Sequence, residues 1–404
     1  MLKSMDHQWM YIDFNSYFAS VEQQLNPSLR GKAVAVIPVE SDTTCVIAAS
    51  YPAKAFGVKT GTPVWEAKKI CPGIICVLAN HEMYVTFHER ILEEIDRHVP
   101  IAKVCSIDEV ACKLMDNERA RAEELAKEIK EGLRENVGEC ITCSIGLAPN
   151  CYLAKVATDM KKPDGLVIIR EDELPKRLYA LKPRDLPGIG ANMELRLKRH
   201  GVFSMEMLSS LDLKQMRRVW GSVEGERMYL RLRGVDLPDV ETQRQSLGHS
   251  HVLAPELREP DKARLVGRRL VAKAAARLRR MGLVASKMSV SVKSDDGEEF
   301  ASSGTCDRVC DSLTFLSLFN GMWKQVDVRR IKKIGVVFSD LEESMDPQYE
   351  LFAKLSKEKG EKVSRILDRI NQKYGQDSLS FGVLPRMGTQ IAFTRIPDKE
   401  EFLE

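Results

Sequence analysis

The sequence predicts a multidomain α/β protein of the α+β kind, and three observations predict it. Its 404 residues make two to four domains of roughly 100–200 residues each. Strand-like and helix-like segments alternate up to about residue 170, give way to a helical stretch over 171–235, and resume in a β-α-β-β-α-β order over 243–343. That last segment is basic: from Gln243 to Phe338 there are 18 Lys and Arg against 10 Asp and Glu, inside a chain whose net charge is only +3. A localised net charge of this sign suggests contact with a polyanion.

The composition, 44% hydrophobic and 29% charged, is that of a soluble globular protein. No apolar run approaches the roughly 20 residues of a membrane helix. The start, "MLKSMDHQWMYIDF", lacks the apolar core of a signal peptide, so a cytoplasmic location is expected. Ten cysteines include a CxxC at Cys140 and Cys143 and a CxxxC at Cys306 and Cys310. Neither pair has the second pair or close His that zinc requires, so reduced structural thiols are expected.

The elements read in order. "WMYIDF" (9–14) is a short strand, followed by the helical pattern "YFASVEQQL". "AVAVIPV" (33–39) and "CVIAAS" (45–50) are strands, then come short helices and loops to residue 80. "HEMYVTFHERILEEIDRHV" and "DNERARAEELAKEIKEGLREN" have apolar residues at helical spacing. "CITCSIGLA" is a strand, and "CYLAKVATDMKKPDG" a helix stopped by Pro163 and Gly165. The polar linker "GVDLPDVETQRQ" marks a boundary. In the basic segment the strands are "SLGHSHVL", "KMSVSVKS" and "IKKIGVVFS", with one helix at 260–282 and another near 307–326. A final helix spans about 355–374.

One stretch resists a purely structural reading. "AKVCSIDEVACKL" (102–114) is strand-like, yet Asp108 and Glu109 sit together in its middle. Adjacent carboxylates repel and resist burial. A divalent cation would compensate them, with Asp13 at the end of "MYIDF" as a third acid. Successive strand residues face opposite ways, so sharing one ion requires a bend or bulge between Asp108 and Glu109. An exposed acidic turn is the other reading, and the local pattern leaves both open.

Six motifs occur in order: "YIDFNSYFASVE" (11–22), "SYPAKAFGVKTGTP" (50–63), "SIDE" (106–109), "DMKKPDGL" (159–166), "LPGIG" (186–190) and "IKKIGVVFS" (331–339). Together they resemble the Y-family of DNA polymerases, low-fidelity enzymes that copy damaged templates, and most of all the bacterial DNA polymerase IV branch and its relatives. The resemblance implies a right-hand fold. Its palm would be 1–16 and 81–170, its fingers 17–80, and its helical thumb 171–235. A linker at 236–242 would lead to a DNA-binding little finger at 243–343, and 344–404 would be a C-terminal extension.

The resemblance also implies roles. Asp13, Asp108 and Glu109 would be the catalytic acids. With the backbone carbonyl of Phe14 they would ligate two Mg²⁺ ions, Mn²⁺ being the expected substitute. Phe18 would be the aromatic that excludes a ribose 2′-hydroxyl. Tyr51, Lys54 and Lys162 would bind the dNTP triphosphate; Lys54 stands where the family has Arg, without its bidentate fork. Gly188, Ile189 and Gly190 would meet a DNA phosphate in a helix-hairpin-helix. "QYELF" (348–352) resembles the motif that docks on the bacterial β sliding clamp through Gln348, Leu351 and Phe352. The implied partners are primer–template DNA, dNTP and the clamp, with the protein monomeric, cytoplasmic and at the nucleoid when active. The implied activity is template-directed primer extension by two-metal-ion nucleotidyl transfer in translesion synthesis. Two rivals are a catalytically inert relative used as a scaffold, and a non-polymerising DNA-repair protein.

Overall fold

The computed structural model describes residues 7–239, 244–344, 355–375 and 378–382. The chain divides into two compact units, the first ending at Asp239 and the second beginning at Val240.

In the first unit, strand β1 (Trp9–Phe14) leads into helix α1 (Tyr17–Leu25). Next come β2 (Val34–Ile37), β3 (Ala48–Ala49), α2 (Tyr51–Ala55), α3 (Val64–Ile70) and β4 (Ile75–Leu78). Helix α4 (His81–Asp96) precedes the hairpin β5 (Ile101–Ser106) and β6 (Glu109–Lys113). Then follow α5 (Asp116–Arg119), α6 (Ala122–Gly132), β7 (Cys143–Ala148), α7 (Cys151–Met160) and β8 (Leu166–Ile168). The main sheet has the order β5-β6-β1-β7-β8, and a small sheet has the order β3-β2-β4. Both faces of the main sheet are covered, which explains why β1 is apolar apart from Asp13. Met10 and Ile12 pack with Tyr84, Ile91 and Ile95 of α4 on one face. Tyr11 packs with Leu153 and Val156 of α7 on the other.

Four helices complete this unit: α8 (Ala191–Arg199), α9 (Met205–Ser210), α10 (Leu213–Trp220) and α11 (Glu224–Arg231). Local chemistry starts them. Ser204 accepts from the Met207 amide, and Asp212 and Gln215 form a reciprocal capping box. Leu186, Ile189 and Leu197 share a core with α7, so the helices are fastened to the sheet.

The second unit runs β9 (Ser246–Val252), α12 (Pro260–Arg280), β10 (Leu283–Ser294), β11 (Glu299–Val309), α13 (Ser312–Trp323) and β12 (Ile331–Glu343). This is the expected β-α-β-β-α-β order. The four strands form one antiparallel sheet, β11-β10-β12-β9. Both helices cover one face, around Phe315, Phe319 and Phe338. Gly267 permits the close contact: a Cβ there would stand 2.4 Å from the Phe319 ring. The register puts Lys287, Ser289, Ser291 and Lys293 of β10 on the opposite face, paired with Ser339, Val337, Gly335 and Lys333 of β12. That face is small, polar and fringed with lysine.

The sequence places the second helix near 307–326, but β11 continues to Val309, paired with Ala285, and Asp311 caps α13 only after it. The charged helix expected from residue 116 is likewise divided. Glu118 folds back onto the Met115 amide to start α5 (2.7 Å), and α6 begins separately at Ala122.

The basic helix is less available to a polyanion than its charge suggests. The last helix, α14 (Leu355–Tyr374), packs on α12 and α13 within this unit. Arg279 is buried and binds both oxygens of Asp368 (2.7 Å each), the Cys310 carbonyl (2.7 Å) and Ser312. Ser364, fully buried, accepts from the Ser312 amide (3.1 Å). Arg268 donates to the Phe381 carbonyl (2.9 Å). Cationic residues of α12 therefore hold the C-terminal helix. The segment carrying Gln348, Leu351 and Phe352 lies outside the described residues.

Removing one partner of a buried ion pair strands the other. Asp368→Ala is expected to destabilise the second unit by about 2 kcal/mol, since Asp368 itself is partly exposed. Chemical denaturation should show this, with earlier proteolysis of α14. An unchanged midpoint would mean that the pair is not a fastening.

Candidate active site

The site forms at one end of the main sheet. Asp13 faces Glu109 of β6 on one side and Ser144 of β7 on the other. Asp108 lies in the turn that separates β5 from β6, so it does not alternate with Glu109 as a strand neighbour would. The required bend is thus a turn, preceded by a register irregularity between Val104 and Ser106. Three bonds hold it. The Phe14 amide donates to the Asp108 carbonyl (2.9 Å), Ser106 Oγ donates to Asp108 Oδ1 (2.6 Å), and buried His88 Nδ1 donates to the Ile107 carbonyl (2.9 Å).

Asp13 is buried, and a buried carboxylate needs positive charge. Lys155 and Lys162 supply it. Lys155 Nζ is bonded to Asp13 Oδ2 and lies 2.6 Å from Glu109 Oε1. Lys162 Nζ lies 2.8 Å from both Asp13 Oδ1 and Asp159 Oδ1. Burial is the largest influence on both ammonium groups and opposes them, but the carboxylates together outweigh it, Asp13 and Glu109 at Lys155 and Asp13 and Asp159 at Lys162, so both pKa values are raised. Asp108 differs: burial pushes its pKa up, Ser106 opposes, and the Asp13 charge pushes it further up. It is the acid most in need of a cation.

The helix that brings Lys155 is set by glycine. A Cβ on Gly146 of β7 would stand 2.0 Å from the Ala154 carbonyl, so only Gly lets α7 lie this close. Asn15 anchors the loop after α7: its Oδ1 accepts from the Asp164 amide (2.8 Å), and its Nδ2 donates to Ser144 Oγ (3.0 Å).

Tyr51 and Lys54 come from α2. Lys54 Nζ sits 4.5 Å from the centre of the Tyr51 ring. Surrounding protein lowers the Lys54 pKa, and nearby Lys162 lowers it further. Burial raises the Tyr51 phenol while Lys162 opposes. Tyr51, Lys54 and Lys162 are therefore mutual neighbours, and two facing ammonium groups are relieved by an anion. Phe18 is half-buried and stacks on Tyr84 with ring centres 4.3 Å apart and planes at 12°. Tyr84 is locked in turn, its hydroxyl donating to buried Glu22 (2.6 Å).

In the thumb-like helices, Gly188 and Gly190 are exposed, and Gly188 takes φ +86°. Ile189 is not exposed: its side chain is buried and its amide donates to the Leu186 carbonyl (3.1 Å). It fixes the turn while the glycines face outward. Sequence reasoning missed Lys155, Asp159, Asn15 and His88. The signal for two of them was present, because Lys155 and Asp159 stand at i, i+4 on one face of α7, just before Lys162.

Comparison with known proteins finds relatives over most of the chain. Residues 12–159 match the impB/mucB/samB family and residues 244–351 its C-terminal domain. Residues 184–236 match the thumb domain of DNA polymerase iota. DNA polymerase IV of Bacillus velezensis is 31% identical over 387 residues, covering 93% of this chain and 92% of that protein. DNA polymerase IV 1 of Bacillus subtilis is 32% identical, covering 90% of each. Among solved structures, a Y-family chimera of the Dbh and Dpo4 polymerases is 26% identical with a TM-score of 0.69, covering 83% of this chain and 99% of that one. An insertion ternary complex of Dbh DNA polymerase is 25% identical with a TM-score of 0.54, at the same coverage.

The chain belongs to the Y-family of DNA polymerases. It is a DNA-directed, translesion DNA polymerase, similar to the bacterial enzymes named DNA polymerase IV, with a helical thumb and a C-terminal little finger. Polymerases of this family use divalent metal ions. Among the described residues no three acidic, thiol or imidazole groups form a ready-made cage, since ammonium groups engage two of the three acids. The oxygen donors still fit a hard cation, which takes one or two carboxylates and completes its shell with water and substrate phosphates. No helix among the described residues is long and apolar enough to cross a membrane.

Proposed function

We propose that this polymerase extends primers with dNTPs at the site built by Asp13, Phe14, Asp108 and Glu109, with two Mg²⁺ ions as cofactors and Mn²⁺ able to replace them. The supporting observation is the meeting of three acids at one sheet end with the Tyr51, Lys54 and Lys162 cluster nearby. When bound, divalent ions would supply Lewis-acid chemistry, lowering the pKa of the primer 3′-hydroxyl and neutralising the leaving pyrophosphate. Asp13, Asp108, Glu109 and the backbone carbonyl of Phe14 would hold them. Tyr51, Lys54 and Lys162 hold the triphosphate in line. Retention of all three acids favours this reading over an inert scaffold, and the palm-like site favours it over a merely DNA-binding protein.

The domains follow the sequence reading: palm 1–16 and 81–170, fingers 17–80, thumb 171–235, little finger 243–343. Gly188 and Gly190 meet the DNA backbone, with Ile189 as their buried support. The lysine-fringed face of the second sheet lies along primer–template DNA. The protein works as a cytoplasmic monomer at the nucleoid, docked on the bacterial β clamp through Gln348, Leu351 and Phe352.

Primer extension with one dNTP and Mg²⁺ is the deciding experiment. Asp108→Ala and Glu109→Ala should each abolish extension while primer–template binding survives; a double variant that still extends at a comparable rate would falsify the reading.

Phe18→Ala should raise ribonucleotide incorporation by about tenfold or more and leave dNTP use less affected, because a packed ring excludes an added hydroxyl. The measurement is the ratio of kcat/KM for an rNTP and its dNTP. An unchanged ratio would remove Phe18 as the gate.

With Leu351 and Phe352 both cut to Ala, clamp affinity should fall at least about tenfold, each anchor contributing about 1–3 kcal/mol. Extension without clamp should be unaltered. Equal stimulation of wild type and variant by loaded clamp would refute docking through this motif.

A further inference from the structure

We propose that Lys155 is an internal counter-cation: it holds Asp13 and Glu109 when no metal ion is bound and, by competing for these two carboxylates, sets how tightly a divalent ion binds. The inference rests on the reading of those acids as metal ligands. It concerns a residue to which that reading gives no role.

The geometry points to it. Lys155 Nζ reaches two acids on different strands, Asp13 of β1 and Glu109 of β6. The ammonium therefore bridges them, as an ion would. Its side chain is 18% exposed, so water screens the pair little. Its backbone is fixed, because Gly146 seats α7 against the sheet and Thr158 Oγ1 donates to the Lys155 carbonyl (2.7 Å). Tyr11 donates to Glu109 Oε2 (3.1 Å), leaving Oε1 to Lys155.

Asp159 makes the bridge reversible. It stands one helical turn on, 3.6 Å from Lys155 Nζ. When an ion claims Asp13 and Glu109, the ammonium can swing toward Asp159 without losing all carboxylate contact. Lysine suits this, being a compact charge with three rotatable donors on a flexible stem. Lys162 also touches Asp13 and Asp159, but it belongs to the triphosphate cluster. Lys155 touches the acids and lies 5.6 Å from the centre of the Tyr11 ring, with no part in the triphosphate cluster, and is a positioning residue.

The test is Mn²⁺ binding to the full chain without DNA or nucleotide, read by the electron paramagnetic resonance of free Mn²⁺. Lys155→Met removes the competing charge and keeps the stem. Binding should tighten on the order of tenfold, the direction that loss of a nearby like charge requires. Without metal the variant should unfold at a lower temperature, and Mn²⁺ should raise its midpoint more than it raises that of wild type. Lys155→Arg, which retains the charge, should bind Mn²⁺ nearly as wild type does. Should Lys155→Met fail to fold, Lys155→Gln carries the same expectations with a polar end. Equal or weaker Mn²⁺ binding in the neutral variant overturns the proposal. Asp108→Ala in the same titration separates the two readings. Unchanged binding there defeats the metal-ligand assignment itself. Lost binding there, with no tightening at Lys155→Met, defeats only the counter-cation.

Discussion

The arrangement of the first unit depends on neutralising one buried carboxylate. Asp13 closes the central strand, and its environment excludes most water. A buried carboxylate without a positive partner would destabilise the strand end. Lysines on and just past α7 prevent this, so the helix must lie against β7, and Gly146 is what allows it. The same helix face carries Asp159, and the loop behind it is tied to Asn15. Backbone proximity, ion pairing and site geometry are thus one constraint.

The same charges that stabilise the fold are suited to the reaction. Lysines beside carboxylates are good partners for a resting site and good ligands for a polyphosphate. On the proposed reading, a metal ion and a nucleotide would exchange partners with these groups without leaving a buried charge bare. Phe18 stands apart from this polar network. It leans on Tyr84, whose hydroxyl is held by Glu22, so the ring rests on a rigid support rather than a pliable core. The sugar filter proposed for Phe18 would need that rigidity, since a yielding wall discriminates poorly between sugars that differ by one hydroxyl.

The second unit separates structural from surface charge. Arg279 and Arg268 face inward to α14 and the chain beyond it, and their charge is spent on fastening. Lysines of β10 and β12 line the uncovered sheet face among serine and glycine, where a broad polyanion can approach closely. The positive count of the sequence thus contains two populations with different work.

Much of the fold was legible because it follows local rules. The apolar run at Trp9–Phe14, helical spacing at His81–Asp96 and the polar linker near Asp239 are written in short range, as is the β-α-β-β-α-β order. The family motifs pointed to Asp13, Asp108 and Glu109, which the fold brings to one end of the main sheet. Where the elements end was less legible: β11 runs to Val309 because β10 pairs with it that far, and α13 waits for the Asp311 cap. What only tertiary structure decided was which charges meet. Lys155 lies 142 residues from Asp13 in sequence, and Arg279 lies 89 from Asp368. A lysine on a helix reads as a solvated surface residue until the sheet places a buried carboxylate beside it. Pairing across such separations is set by packing, which no local pattern encodes.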